Sequence, residues 1–139
     1  MKNIRKGFTL IELLVVVLII GILASIAIPQ YFKVVEKARV AEAMSIISSV
    51  KSAQERFLAR GGTYTNDFTK LDISYPGMSA TKIETKFFKA ELSDVASTGD
   101  PTYKLTATRI TTGSSVAGRF GAYSISVTVP SSPRVTVAG

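Results

Sequence analysis

Side chains that could do chemistry are few and scattered in this sequence. Histidine and cysteine are absent, so the commonest general base, the thiol nucleophile and the usual transition-metal ligands are missing. Asp67, Asp72, Asp94 and Asp100 stand singly in turn-like surroundings, where aspartate is typically a turn or cap residue. No Asp-rich calcium loop of the EF-hand kind is present. We therefore predict that the protein is not an enzyme, with no catalytic residue, no cofactor and no metal site.

One acidic residue lies within a long apolar segment, where an ionised side chain is energetically unfavourable. Glu12 is the single charged residue in the apolar run from Phe8 to Ile28, about one helical turn inside it. Burying an ionised group at mid-membrane costs roughly 2.5–3.5 kcal/mol, and less near an end. Either the carboxylate snorkels to the lipid headgroups or it meets a positive partner from outside the run, which contains no Lys or Arg. If the chain is cut after Gly7, the new α-amino group of Phe8 has the right charge at the right depth, since its unperturbed pKa is near ~8.

The apolar run that carries Glu12 has the length of a membrane span. As a helix its 21 residues would cover about 30 Å, the thickness of the hydrocarbon core of a bilayer. A secretory signal peptide has a shorter apolar region, with its cleavage site beyond that region. Here the polar break, Lys6-Gly7, comes before the run. A cut at this break would leave the apolar segment in the mature protein.

The residues before the run are basic. Lys2, Arg5 and Lys6 precede it and no acidic residue does, so removing residues 1–7 lowers the net charge from +7 to +4 (14 basic and 10 acidic residues remain). Basic residues beside a span stay in the cytoplasm. We expect a cytoplasmic N-terminus and a domain on the other side of the membrane, and much of the positive charge is then a topology signal.

The segment KGFTLIE at 6–12, followed by a long apolar run and Pro29, resembles the class III signal of type IV pilins and type II secretion pseudopilins. The glycine, phenylalanine, glutamate and proline all fall at the spacing typical of that family. The resemblance is strong over residues 1 to about 32. The rest of the chain is similar to the family only in general layout.

The resemblance implies processing and assembly. A prepilin peptidase would cut between Gly7 and Phe8 and methylate the new N-terminal Phe8, and Glu12 would assist assembly of a helical homo-oligomeric filament. Gly21 and Pro29 interrupt the backbone of the helix, and one interpretation is a simple kink. The other follows from the resemblance, because in assembled filaments of the family the helix is often stretched or melted between such a glycine and proline. The partners implied are the peptidase/methyltransferase, the inner-membrane assembly machinery, membrane lipid before assembly, and identical copies of the chain.

We therefore divide the chain into three parts. Residues 1–7 are a leader peptide, residues 8–29 the transmembrane and assembly half of a long helix, and residues 30–139 a pilin-like globular domain that includes the amphipathic helix half 30–60. The resemblance places the protein in the bacterial inner membrane, with a single pass and a cytoplasmic N-terminus, before assembly. Afterwards it would form part of a cell-surface filament, with the domain periplasmic or extracellular.

The second half of the helix has one apolar face. Apolar residues recur at spacings of three and four, which indicates an amphipathic helix whose stripe packs on a sheet. Gly61-Gly62 is expected to end it, because glycine commonly follows a helix C-terminus. The stripe consists of Ala43, Ile46, Ile47, Val50, Ala53 and Phe57.

Alternating patterns predict strands after the helix. The period of two is clear in Tyr103–Arg109 and Phe120–Val129, whereas Lys86–Leu92 and Arg134–Val137 are shorter. We predict a loop at Asp94–Pro101. Consecutive strands with short links favour an antiparallel meander with one face on the helix. The fold class is therefore α+β, a long N-terminal helix packed on a small antiparallel sheet of 3–4 strands, as in pilins.

The function that follows is a structural subunit of a type IV pilus-like filament. The alternatives are a type II secretion pseudopilin, or a minor pilin with a DNA- or surface-binding role. The calcium-site segment of major secretion pseudopilins is not found, which favours a pilin. Motility, adhesion, DNA uptake and secretion share this subunit design.

A basic cluster with aromatic residues is the feature that favours nucleic-acid binding. It comprises Lys82, Lys86 and Lys89 with Phe87 and Phe88, and basic residues interleaved with aromatic rings can contact DNA. The other interpretation is a solvated strand face with phenylalanine in the core.

The absence of cysteine also bears on the C-terminal region. Many Gram-negative major pilins carry a disulfide-bonded loop there, and this chain has none. Strand pairing or subunit packing must then hold that end.

Overall fold

A computed structural model describes residues 7–96, 100–112 and 120–129, together with the backbone of residues 136–138. The chain divides into two units, Met1–Ala38 and Arg39–Gly139. The predicted leader, except for Gly7, and the first two residues of the strand predicted at Arg134–Val137 lie outside the described residues.

One long helix, α1, runs over Leu10–Gly61 and contains Pro29. It ends as predicted at the double glycine. Gly62 adopts a φ of 73°, and its N–H donates to the carbonyl of Leu58 at 2.7 Å. Glycine reaches this left-handed conformation without steric cost, so the turn can satisfy a carbonyl of the last helical turn.

The apolar stripe of the second helix half lies in the core of its unit. Ala43, Ile46, Ile47, Val50 and Ala53 are all less than 5% exposed, and Phe57 packs against the same cluster. The predicted amphipathic helix is therefore confirmed, since the residues that recur at three and four are the ones buried.

In the described part of the chain five strands follow the helix and form one antiparallel sheet in chain order. Their inner face alternates with the polar outer face, and it supplies Phe88, Tyr103, Leu105, Ile125 and Val127 to the core. The strands are β1 Lys82–Glu84, β2 Phe88–Ala96, β3 Thr102–Arg109, β4 Ser124–Val129 and β5 Thr136–Ala138.

The predicted class, a long helix packed on an antiparallel meander, is confirmed, and the sheet is one strand wider than the 3–4 expected. The additional strand, β1, has only three residues, too few for an alternating pattern to be visible. It exists because it pairs with β2, with Ile83 opposite Ala90.

The predicted loop at Asp94–Pro101 is wrong for its first residues, because β2 continues to Ala96. A register irregularity lies between Ser93 and Ala96, and Asp94 adopts a φ of 52°. A β-bulge of this kind interrupts the alternation while the strand continues, which hides the strand from pattern analysis.

Polar contacts fasten the segment between α1 and β1 onto the helix. The side-chain amide of Gln54, fully buried, donates to the carbonyl of Thr65 at 2.6 Å and accepts from its N–H at 3.1 Å. The guanidinium of Arg56 forms a bidentate ion pair with the Asp72 carboxylate at 2.7 and 2.6 Å, and Arg60 adds a third hydrogen bond to it at 2.9 Å.

At the C-terminal end, β5 pairs with β4, which is the strand pairing expected in place of a disulfide.

Candidate functional site

The N-terminal turn of α1 is closed by a reciprocal pair of side chains. The backbone N–H and the hydroxyl of Thr9 donate to Oε2 of Glu12 at 2.8 and 2.7 Å. In return the N–H of Glu12 donates to the Thr9 hydroxyl at 3.3 Å. This is a capping box, in which a threonine at the N-cap and a glutamate three residues later satisfy N–H groups that have no helical partner.

The capping box gives Glu12 a role that our sequence interpretation missed. The spacing Thr-x-x-Glu is itself the signal, and it was visible in Thr9-Leu10-Ile11-Glu12. It also explains why α1 begins at Leu10, because the N-cap residue before it is not itself helical. Both Thr9 bonds go to Oε2, and in the described part of the chain Oε1 makes no hydrogen bond.

The first half of α1 is exposed on all sides within its unit. Every large apolar residue from Leu10 to Ile28 is at least 45% exposed. The helix is long and apolar enough to cross a membrane, and none of its most apolar stretch of 18 residues is buried. Such a surface needs lipid or other protein to cover it.

Gly21 and Pro29, the two residues predicted to weaken the helix, both lie inside α1. Pro29 has no N–H to offer the carbonyl of Ser25, while the Ser25 hydroxyl donates to the carbonyl of Ile22 at 2.7 Å. A Cβ added at Gly21 would meet no atom within 4 Å. Melting between these residues was expected for the assembled filament and stays a prediction.

The structure separates the basic and aromatic cluster into parts. Phe88 is buried in the core at 1% exposure, as the strand-face interpretation expected. Lys82 forms an ion pair with Glu84, and Lys89 pairs with Glu91 at 3.1 Å.

The remaining members of the cluster lie together at the turn between β1 and β2. The guanidinium carbon of Arg39, a residue of α1 absent from the predicted cluster, lies 4.4 Å from the centre of the half-buried Phe87 ring. The ammonium of Lys86 lies 5.5 Å from the same centre. Two cations thus share one aromatic ring.

Two of the aspartates considered as catalytic candidates have structural roles. Asp67 caps a short 3₁₀ helix, Phe68–Lys70, and hydrogen bonds from the Thr69 side chain and backbone lower its pKa. Asp72 binds Arg56 and Arg60. Within the described residues no group of three or more acidic side chains could hold a metal ion.

Comparisons with known proteins agree with this geometry. Residues 2–28 match the family model of the prokaryotic N-terminal methylation motif. Residues 29–120, more than half of the chain, match the model described as type IV minor pilin ComP, DNA uptake sequence receptor. No solved structure matches significantly.

Curated relatives are pilins. A fimbrial protein of Pseudomonas aeruginosa is 39% identical over 105 residues, which cover 75% of this chain and 68% of the relative. The type IV major pilin protein PilE of Neisseria gonorrhoeae is 36% identical over 89 residues, 64% of this chain and 51% of that protein. The type IV major fimbrial protein FimA of Dichelobacter nodosus is 51% identical over 61 residues, 44% of this chain and 39% of that protein.

The helix with an exposed apolar half, the methylation motif and the α+β domain define a filament-forming membrane protein. The chain belongs to the type IV pilin family and is a pilus subunit. Pilins are structural proteins that assemble into pilus filaments, and the methylation motif implies processing by a prepilin peptidase. The apolar helix implies membrane anchoring first and a surface pilus afterwards.

Proposed function

We propose that the chain is cut between Gly7 and Phe8, methylated at Phe8 and assembled into a helical homo-oligomer through the helix half 8–29. The observation that carries this proposal is the apolar surface of the first half of α1, none of which is buried in its unit. Burial of that surface between identical helices would supply most of the cohesion. The match of residues 2–28 to the methylation motif supports the processing step.

The basic leader sets the orientation in this proposal. Lys2, Arg5 and Lys6 keep the N-terminus in the cytoplasm, by the positive-inside rule. The domain over residues 30–139 then lies outside the inner membrane, where the assembly machinery adds the subunit to a growing filament.

The capping box refines the role of Glu12. Thr9 holds Oε2, which orients the carboxylate at the helix terminus and leaves Oε1 for a second bond. The amine of Phe8, from a neighbouring copy or from the same chain, is the partner we assign to Oε1. Because an unpaired buried carboxylate is strongly unfavourable, this pair sets the register between subunits more than it adds strength.

Two substitutions at Glu12 distinguish the contribution of its capping hydrogen bonds to assembly from the contribution of its negative charge. Glu12→Gln keeps the capping bonds, since glutamine serves in a capping box, whereas Glu12→Ala removes both the bonds and the charge. We expect both variants to be cleaved, as seen by a peptide beginning at N-methyl-Phe8 in mass spectrometry, and both to give few filaments on shearing. Normal filament yield from Glu12→Gln would show that capping alone is needed, and normal yield from both would refute the assembly role.

A second function is favoured by one observation. The family model that covers residues 29–120 describes a DNA uptake sequence receptor, and after removal of the leader the chain keeps a net charge of +4 (14 basic and 10 acidic residues). We propose that the domain of this subunit binds DNA when displayed on the filament. Binding of the processed chain, held in a neutral detergent, to duplex DNA at low salt is the test. Absence of binding at low salt would remove this function and leave the filament role intact.

A further inference from the structure

An exposed pair of aromatic residues follows the apolar half of α1. Tyr31 and Phe32 are 65% and 40% exposed within their unit, and their rings meet edge to face with centres 5.9 Å apart. In the described part of the chain the Tyr31 hydroxyl makes no hydrogen bond. A phenol with an exposed ring and an unused hydroxyl suits an environment that is apolar on one side and polar on the other.

The position of Tyr31 along α1 corresponds to one layer of a bilayer. The apolar run ends at Ile28, three residues before Tyr31, which places the tyrosine about 4.5 Å further along the helix. The headgroup layer adds about 5–7 Å to the hydrocarbon core on each side. Because the run has the length of the core, the ring of Tyr31 falls within the headgroup layer.

Tyr31 is the only tyrosine or tryptophan near either end of the run. These are the side chains enriched at membrane interfaces, and the sequence has no tryptophan and no other tyrosine before Tyr64. Lys33 follows closely and is exposed, but its long flexible side chain can reach the interface from several depths. A tyrosine ring rotates about only two side-chain bonds, so it fixes the depth of the helix more narrowly.

We propose that Tyr31 binds the headgroup layer of a phospholipid bilayer and thereby fixes the depth of this end of the span before assembly. The ring contacts the upper part of the acyl chains, and the hydroxyl donates to headgroup oxygen atoms. At the other end of the span the basic residues Lys2, Arg5 and Lys6 hold the chain at the interface. The inference goes beyond the filament function, because it requires a membrane span and neither cleavage nor assembly.

The test measures the depth of the span in bilayers of two thicknesses. The sequence contains no cysteine, so Ala24→Cys can carry a single nitroxide, about 10 Å from Tyr31 along the helix. Electron paramagnetic resonance with oxygen and a water-soluble nickel complex gives the depth of the nitroxide. The full chain is reconstituted in vesicles of dimyristoyl- or dierucoylphosphatidylcholine. An anchored end keeps the nitroxide at one depth below the headgroups in both, because tilt takes up the difference in thickness.

Substitution of Tyr31 should release this end of the span. In Tyr31→Ala the basic residues still hold the other end, so the nitroxide should lie deeper in the thicker bilayer, by on the order of a few Å. Tyr31→Trp should restore a constant depth, since tryptophan has the same preference for the interface. Phe32→Ala is the matched control, because it removes the neighbouring ring, which has no polar group. We expect Phe32→Ala and Lys33→Ala to keep the depth constant, and circular dichroism verifies the helix in each variant.

The outcomes separate this inference from the proposed function. If the nickel complex reaches the nitroxide freely in the unmodified background, the helix does not span the bilayer, and the inference fails together with the membrane step of the proposed function. If the helix spans, three results would make the inference alone wrong: a depth that already varies with Tyr31 in place, a constant depth in Tyr31→Ala, or an equal shift in Phe32→Ala or Lys33→Ala. Failure of Tyr31→Trp to restore the depth would also contradict it. A depth that varies only in Tyr31→Ala supports the assignment.

Discussion

The buried amide of Gln54 offers the clearest test of how the segment after α1 is held. Its side chain is fully buried and bonds both the carbonyl and the N–H of Thr65, at 2.6 and 3.1 Å. The perturbation is Gln54→Met, which keeps the length and nearly the volume of the side chain and removes both hydrogen bonds. Any effect then reports the lost bonds and not a cavity.

The size of the effect follows from the two groups left unpaired. A buried backbone N–H or carbonyl without a partner costs about 1–3 kcal/mol. Thr65 is 7% exposed, so water can reach part of the site, and we expect a total of about 3 kcal/mol. For a domain of about 100 residues each kcal/mol lowers Tm by about 4–8 °C, which gives a decrease of about 12–24 °C.

The assay is thermal unfolding of the processed chain in detergent, followed by the near-ultraviolet circular dichroism of the tyrosines. Ser48→Met, at an exposed position of the same helix, is the control and is expected to leave Tm nearly unchanged. A decrease below about 3 °C for Gln54→Met, less than the smallest cost of one unpaired group, would refute the reasoning. It would mean that water forms the two hydrogen bonds to Thr65 in place of the Gln54 amide, with no loss of stability.

Two further predictions concern the same region of the domain. Hydrogen bonds from Arg56 lower the pKa of Asp72 from 3.8 to about 2. Because the pKa is lower in the folded protein than in the unfolded chain, the ionised carboxylate stabilises the fold at any pH above the unfolded-state pKa. This stabilisation is lost as the pH falls to the folded-state pKa. The Tm difference between the unmodified chain and Asp72→Asn should therefore be constant above pH ~5 and shrink between pH ~4 and ~2, and a difference that persists at the lower limit would contradict the pairing. Gly77 has a φ of 75°, and a Cβ there would clash with the carbonyl oxygen of Glu84, so Gly77→Ala should cost at least about 1–3 kcal/mol. Gly61→Ala, at a helix end with open space, is its control, and equal Tm values for the two variants would count against the strain.

Several features of this protein were readable from local sequence. The apolar run, the basic residues before it and the position of Glu12 depend only on neighbours in the chain, because a membrane span and a methylation motif are linear signals. The same holds for the amphipathic stripe, confirmed from Ala43 to Phe57, and for β3, where Tyr103, Leu105 and Ala107 alternate with polar residues and are buried. The capping box of Thr9 and Glu12 was equally local, and its Thr-x-x-Glu spacing was there to be recognised.

Other features were decided only when distant segments met. β1 has three residues and forms because β2 offers it a partner, and β2 continues past Ser93 through a bulge that breaks its pattern. The three lysines of the basic cluster are alike in sequence, yet pairing places carboxylates beside Lys82 and Lys89, whereas Lys86 remains at a turn beside Phe87. The hydrophobic periodicity of a helix or strand is set by residues close to each other in the sequence. The pairing of charged side chains across a sheet depends instead on which strands become neighbours. For this reason the sequence alone determined the kind of protein, and the tertiary structure decided which of these lysines lie beside carboxylates.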